Sequence, residues 1–274
     1  MSLLKDELQD PANLLLPRAI EAALRAGRVM KRLFASGLRA DTKSGPHDLV
    51  TEADRRAEEY ILDCLHSRFP DHTLVAEESG VLGPGDPESI HWLIDPLDGT
   101  MNFVRNIPIF AVSVAAVHKG DPCCGVVYNP IMDALFTAWR GGPVELNGKR
   151  LEVSKTARVC DALLGIGLPH NPERRRREMA GSVNRVMRAG ATFMRLGSAA
   201  LNLAYVAAGN LDGFWELTYE PWDVAAGILM VRQAGGVVSN LDGSPLSDDK
   251  MGIVAAAPGL HQELVDLLSQ GSRE

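Results

Sequence analysis

The stretch Trp92-Leu93-Ile94-Asp95-Pro96-Leu97-Asp98-Gly99-Thr100-Met101-Asn102-Phe103 decides how the rest of the chain is read. A short apolar run, residues 92–94, ends on an aspartate. The end of a buried strand is where open α/β sheets place their sites. Pro96 lacks the N–H that a sheet ladder needs, so it is expected to stop the strand and force a turn. Asp95 and Asp98 then share one stiff corner. Two carboxylates that close repel, and one is driven to keep a proton. A divalent cation between them removes the conflict, and the stretch reads as a metal-bound phosphate site.

Working outward, further acids stand at element ends. Residues 73–76 read as a short strand ending in Glu77-Glu78. Asp223 lies in Pro221-Trp222-Asp223-Val224-Ala225-Ala226, where a helix begins. Asp48 precedes an apolar pair and Thr51, which forms a capping-box variant with Asp54. An oxygen donor set without His or Cys suits Mg²⁺. The seven histidines show no paired spacing of the kind zinc sites use. Gly99 lets backbone approach a ligand closely. A helix that starts here turns its free N–H groups toward a phosphate, and the Thr100 hydroxyl can hold a water.

Other phosphate chemistries lack their residues. The acids are spaced D-x-x-D rather than the D-x-D of phosphoaspartate enzymes, and no cysteine is followed by arginine six residues later. There is no P-loop, and Gly83-x-Gly85 and Gly165-x-Gly167 lack the third glycine of a dinucleotide fingerprint. Metal-activated water attacking a phosphate ester remains.

The flanking elements follow from periodicity and turn residues. Residues 1–16 read as a ragged lead-in. Pro17 suits the first turn of a helix whose stripe is Ile20, Ala23, Leu24, Gly27, Met30 and Phe34. Residues 40–50 read as a polar connector. Thr51 starts a second helix with Ala57, Tyr60, Ile61, Cys64 and Leu65 on its buried face, and residues 80–89 read as an exposed loop. Strands are expected over 110–117, 124–128 and 134–138, with a hairpin at Asn147-Gly148. The second half alternates strands (162–166, 192–196, 213–217, 237–239, 253–256) with helices (172–189, 198–208, 222–234, 258–268). The pattern predicts an α/β molecule of two packed layered halves, 1–145 and 146–274, with no linker.

Bulk properties narrow the class. The 274 residues can bury a large core, and 46% hydrophobic with 23% charged residues is ordinary for a globular protein. A net charge of −7 argues against a general nucleic-acid or anionic-membrane binder. Acids at Asp6 and Glu7 stand where a signal peptide carries an apolar core, and the apolar run 109–117 is too short to span a bilayer. A cytoplasmic location is expected. Cys64, Cys123, Cys124 and Cys160 read as buried thiols of a reducing compartment, with Cys123 and Cys124 on opposite strand faces. Arg174 to Arg177 point all around a helix axis and read as a solvated face rather than a docking stripe.

These residues resemble a known family. Asp95-Pro96-Leu97-Asp98-Gly99-Thr100-x-Asn102-Phe103 resembles the first signature of the inositol monophosphatase family. Trp222-Asp223-Val224-Ala225-Ala226-Gly227, followed by Ala234-Gly235-Gly236, resembles the second. Asp48-Leu49-Val50-Thr51, Ala76-Glu77-Glu78-Ser79, Leu146-Asn147-Gly148 and Gly197-Ser198-Ala199-Ala200 match its other blocks at fitting distances. The likeness spans residues 40–257 and is greatest to bacterial SuhB-type members. It implies the sugar-phosphatase fold, an α-β-α-β-α sandwich, as a homodimer with two or three Mg²⁺ ions and lithium sensitivity.

By position, the resemblance implies one metal on Glu77, Asp95 and the Leu97 carbonyl, and a second on Asp95, Asp98 and Asp223. Asp48 stands near a third. It further implies that Glu77 and Thr100 orient the attacking water and that the Gly99 and Thr100 N–H groups and Lys43 face the phosphate. Asp98, Ala199, Glu216 and Asp223 border the alcohol. Met101 replaces a common threonine, and Ala255-Ala256-Ala257-Pro258 replaces a more polar segment. Glu216 and Ala199 place inositol monophosphate ahead of fructose 1,6-bisphosphate, histidinol phosphate and 3′-phosphoadenosine 5′-phosphate. A binding protein of the transcription machinery that has kept the fold is the alternative from another class.

Overall fold

The computed structural model describes residues 2–34, 40–45, 48–168, 173–247 and 252–269. The expected lead-in is already helical: Ser2–Gln9 (α1) and Pro11–Leu14 (α2) precede the long helix Leu16–Leu33 (α3). Asp10 caps α2, and Pro11 and Pro17 sit in first turns, where a missing N–H is harmless. α3 buries Ala19, Ala22, Ala23, Ala26 and Met30, while Ile20 and Leu24 pack at its flanks. The expected connector is a hairpin of Ala40–Gly45 (β1) and Asp48–Thr51 (β2). Its sequence is polar and carries no two-residue apolar alternation, so periodicity could not signal it.

Thr51 caps Glu52–His66 (α4). The Ala53 N–H donates to the Thr51 hydroxyl at 3.0 Å, and the Thr51 N–H donates to Asp54 Oδ2 at 2.7 Å. Ala57, Ile61, Cys64 and Leu65 are buried as expected, but Tyr60 is 45% exposed. Asp54 and Glu58 are buried instead.

The first sheet comprises Thr73–Ala76 (β3), Gly80–Leu82 (β4), Ile90–Asp98 (β5), Ala111–His118 (β6), Asp121–Asn129 (β7), Ala134–Trp139 (β8), Val144–Leu146 (β9) and Lys149–Leu151 (β10). The short helix Thr100–Val104 (α5) follows β5. The strand order is β10-β9-β8-β7-β6-β5-β3-β4. β4, expected as loop, is an exposed edge strand. Asn147 and Gly148 take φ values of 49° and 78°, as the β9–β10 hairpin requires. Neighbouring strands of this sheet are antiparallel except β3 and β5, which run parallel and so end side by side.

Pro96 does not end β5. The ladder pairs Asp95 with Ser113 and resumes at Asp98 opposite Ala111, leaving one extra residue bulged between them. A bulge tolerates proline because it leaves a residue unpaired. A second bulge, in β7, corrects the cysteines. Ala116 pairs with Cys124 and Val117 with Pro122, so Cys123 is the extra residue, and both thiols join the same core. Cys160 is exposed.

The second sheet comprises Leu163–Ile166 (β11), Thr192–Met194 (β12), Gly213–Glu216 (β13), Val237–Ser239 (β14) and Ile253–Ala256 (β15), in the order β12-β11-β13-β15-β14. Glu173–Arg188 (α6), Ala199–Ala207 (α7), Pro221–Gln233 (α8) and Pro258–Ser269 (α9) complete the chain. α3 and α4 cover one face of the first sheet around Trp92, Ile94 and Val114. α7 and α8 lie between the sheets, against Ala115, Val127 and Phe136 on one side and Phe214, Ile253 and Ala255 on the other. α6 and α9 close the outer face over Leu164, Trp215 and Val254. The layers run α-β-α-β-α, as the resemblance implies.

α8 is buried continuously from Val224 to Val231, as a helix covered on both sides must be. It approaches β7 so closely that a Cβ on Gly125 would stand 2.8 Å from the Ala226 Cα. Ala255, Ala256 and Ala257 are buried, so their apolar replacement of a polar segment serves packing. Among the described residues no helix is long and apolar enough to cross a membrane.

Candidate functional site

The parallel β3–β5 pair builds the site's first edge. Glu77 follows β3, and its N–H donates to the Ile94 carbonyl of β5 at 3.1 Å. One residue further along β5, Asp95 is 2% exposed, and its Oδ1 accepts the Leu97 N–H at 2.9 Å. Burial pushes the Asp95 carboxyl well above the usual carboxylate range. Glu77, Asp98 and Asp223 push it further, and the Glu77 carboxyl shares a hydrogen bond with it.

Beyond the bulge, Asp98 reaches the start of α7. Its Oδ2 accepts the Ser198 hydroxyl at 2.5 Å and the Ala200 N–H at 2.7 Å, and its Oδ1 accepts the Ala199 N–H at 3.2 Å. A carboxylate at a helix N-terminus satisfies donors that have no partner within the helix. Burial still outweighs these bonds and raises Asp98 to about 6.

Asp223, in the first turn of α8, accepts the Glu220 N–H at 3.1 Å. It is held well above its ordinary range by burial and then by Asp98. Glu216 ends β13, buried, and is raised by burial, Asp223 and Asp98, with Arg195 pulling the other way. Thus Glu77, Asp95, Asp98 and Asp223 act on one another from the β3 turn, β5 and α8, and Glu216 of β13 joins them through Asp98 and Asp223.

Gly99 connects this cluster to α5 with φ 102°. A Cβ there would stand 3.1 Å from the Ile109 carbonyl oxygen and 3.2 Å from that of Gly197. The Thr100 hydroxyl lies 3.2 Å from Asp54 Oδ1 and 3.1 Å from the Leu97 carbonyl oxygen. Its single proton serves one acceptor at a time, leaving lone pairs for a third group. Burial raises Asp54 to about 6. Ala199 opens α7 beside Asp98.

Four further side chains fix these pieces; Asn102 and Ser198 stand in the matched family blocks without an assigned role, and Ser113 carries no mark in the sequence. Asp54 signals only as a helix cap. Ser198 caps α7, accepting the Leu201 N–H at 3.2 Å while donating to Asp98. Asn102 donates to the Ile109 carbonyl at 2.6 Å and the Leu196 carbonyl at 2.8 Å, gripping the turn into α7. Ser113, the cross-strand partner of Asp95, donates to the Trp222 carbonyl at 3.1 Å and so ties the start of α8 to the first sheet.

The backbones of Lys43 and Asp48 lie in β1 and β2, and their side chains fall outside the described residues. The Arg174 side chain does too. Arg175 donates to the Leu217 carbonyl at 2.7 Å, while Arg176 and Arg177 are exposed.

Among the described residues no group of three or more His, Cys, Asp or Glu side chains is gathered in ready-made metal-binding geometry. The donor chemistry nonetheless fits a hard cation. Asp95 is buried and Glu77, Asp98 and Asp223 are half-buried, the carboxylates raise one another, and they offer only oxygen.

Comparison with known proteins places the chain among relatives. The model of the Inositol monophosphatase family matches residues 13–273. An inositol-1-monophosphatase of Mesorhizobium japonicum is 41% identical over 248 residues, covering 90% of this chain and 92% of that one. The Nus factor SuhB of Escherichia coli is 42% identical over 226 residues, covering 82% and 84%. The crystal structure of extragenic suppressor protein suhB from Bartonella henselae superposes with a TM-score of 0.88 at 40% identity, covering 93% of this chain and 98% of that one.

Proposed function

Because the chain belongs to the inositol monophosphatase family, we propose that it is a Mg²⁺-dependent phosphomonoester hydrolase that releases phosphate from myo-inositol monophosphate. The observation that carries this is the convergence of Glu77, Asp95, Asp98 and Asp223 beside Gly99-Thr100. Mg²⁺ held by Glu77, Asp95 and the Leu97 carbonyl, by Asp95, Asp98 and Asp223, and more weakly by Asp48, would lower the pKa of the attacking water and offset charge on the leaving oxygen.

The side chains supply alignment. The Thr100 hydroxyl gives its proton to Asp54 or the Leu97 carbonyl and accepts from the water, and Glu77 accepts the water's other proton. Both aim it along the line of the breaking P–O bond, through a loose transition state with charge on the outer oxygens. The Gly99 and Thr100 N–H groups take those oxygens, with Lys43 alongside. Glu216 and Asp223 accept hydroxyls of the polyol, against Asp98 and Ala199. A homodimer, lithium sensitivity and a cytoplasmic location belong to the same reading.

The test is phosphate release from inositol 1-phosphate, fructose 1,6-bisphosphate, histidinol phosphate and 3′-phosphoadenosine 5′-phosphate, with Mg²⁺ and with added Li⁺. Inositol 1-phosphate is expected to turn over fastest, and one of the others in its place moves the specificity. Asp95→Asn is expected to lose several orders of magnitude in rate. Near-normal turnover by that variant at saturating Mg²⁺ overturns the assignment.

The name of the Escherichia coli relative supports a second reading, a role in transcription. A chain that cleaves none of these esters, yet binds RNA polymerase in a salt-sensitive way lost on Arg176→Glu with Arg177→Glu, has that role instead.

A further inference from the structure

α4 carries two buried carboxylates, Asp54 and Glu58, at 0% and 2% exposure. Spaced i, i+4, they lie one above the other on the same helix face. Asp54 meets Thr100. Glu58 meets the turn that carries Glu77. Its Oε2 accepts the Glu78 N–H at 2.9 Å, and its Oε1 accepts the Ser79 hydroxyl. The Glu77 N–H is already bonded to Ile94 of β5. Three successive residues are therefore gripped, Glu77 from the sheet and the next two from α4.

Taking a carboxylate out of water is costly, and its two hydrogen bonds offset that cost only while both donors stay in place, so the acid and the turn hold each other. The acid makes sense where a backbone turn must be held in one place. We propose that Glu58 is a positioning residue. It fixes the 77–79 turn so that the Glu77 carboxylate stands ready for Mg²⁺, one helical turn from the carboxylate that holds Thr100. The proposal rests on the reading of Glu77 as a Mg²⁺ ligand.

Glu58 also borders a cleft of about 410 Å³, shared with Arg55, Leu62, Glu78 and Ser79. A methionine, similar in length and without acceptors, fits there without overpacking. Glutamine keeps the grip: its Oε1 accepts the Glu78 N–H, and the Ser79 hydroxyl turns round to accept from its amide.

The test is calorimetric titration of the full chain with Mg²⁺, together with kcat and KM for the best ester of the screen. Glu58→Met is expected to weaken Mg²⁺ binding by about 10–100-fold, the usual effect of losing a partner behind a metal ligand. It should lower kcat while KM for the ester stays within about twofold, as when an interaction outside ground-state binding is lost. Glu58→Gln is expected to restore both. A Glu58→Met variant that melts earlier yet binds Mg²⁺ as tightly as wild type overturns the proposal, and so does a glutamine variant as impaired as the methionine one.

If Glu58→Met does not fold, Ser79→Ala removes one of the two bonds from an exposed residue and should still weaken Mg²⁺ severalfold. Unchanged affinity there overturns the proposal. Glu77→Gln run in parallel separates the two claims. If it leaves Mg²⁺ binding intact, the ligand reading fails. If it weakens binding while Glu58→Met does not, only the positioning role fails.

Discussion

Gly99 stands between two residues of the proposed machinery, Asp98 and Thr100, in a left-handed backbone conformation. Any other residue there pays strain of about 1–3 kcal/mol. Its Cβ would also press on the Ile109 carbonyl, which Asn102 holds in place. Gly99→Ala is therefore expected to lower unfolding stability by about 1–3 kcal/mol in urea titration. Phosphate release should fall further than stability explains, because both neighbours move. Wild-type turnover in a folded variant would show that this corner has slack.

The acids around Gly99 were legible because each interrupts apolar sequence at the end of an element. Asp54 was legible only as a cap. Its bond to Thr100 spans 46 residues, and no local pattern announces that. Glu58 left one trace, a position between Ala57 and Ile61 on the buried side of α4.

At the scale of elements, strands with apolar runs and helices with capping residues were read correctly. β1 was hidden by its polar sequence. α1 and α2 were hidden because they are short and take their place from docking rather than from periodicity.

The docking of α1 has a definite chemistry. Trp92 Nε1 donates to His72 Nδ1 at 3.0 Å, so His72 Nε2 carries the ring proton and meets Glu7 Oε2 at 3.2 Å. Phe69 stacks on the imidazole with ring centroids 4.7 Å apart. A second ring proton would face the Trp92 N–H. Burial accordingly holds His72 below its ordinary 6.5, although Glu7 and Asp71 favour the charged form. The unfolded chain takes up this proton more readily than the folded one. The resulting stabilisation is complete above pH 6.5 and is lost as pH falls through the lower folded value. Melting curves should show the advantage of wild type over His72→Gln shrinking below pH 6.5. The comparison isolates His72 from Asp54 and Asp98, whose raised values act in the opposite direction. A difference that stays constant from pH 7.5 to 5 would show that folded His72 takes up its proton as readily as the unfolded chain does.

At the scale of the molecule, the alternation of strands with helices announced the layers. The sequence marked 222–234 as a helix, and the structure shows it buried without a break from Val224 to Val231, covered on both faces. The meeting of Asp95 with Asp223 was announced only by the family resemblance and by no local pattern, because it depends on how two sheets clasp α7 and α8. The Ser113–Trp222 bond spans 109 residues of chain, and the Asp98–Ala200 bond spans 102. Contacts that distant form late, after local helices and hairpins have already condensed. Ser113 is thus expected to close a seam that forms late in folding. In stopped-flow refolding, far-ultraviolet circular dichroism is expected to recover first and phosphate release to return only with a slower phase. Turnover would then serve as a clock for the final docking of the two sheets.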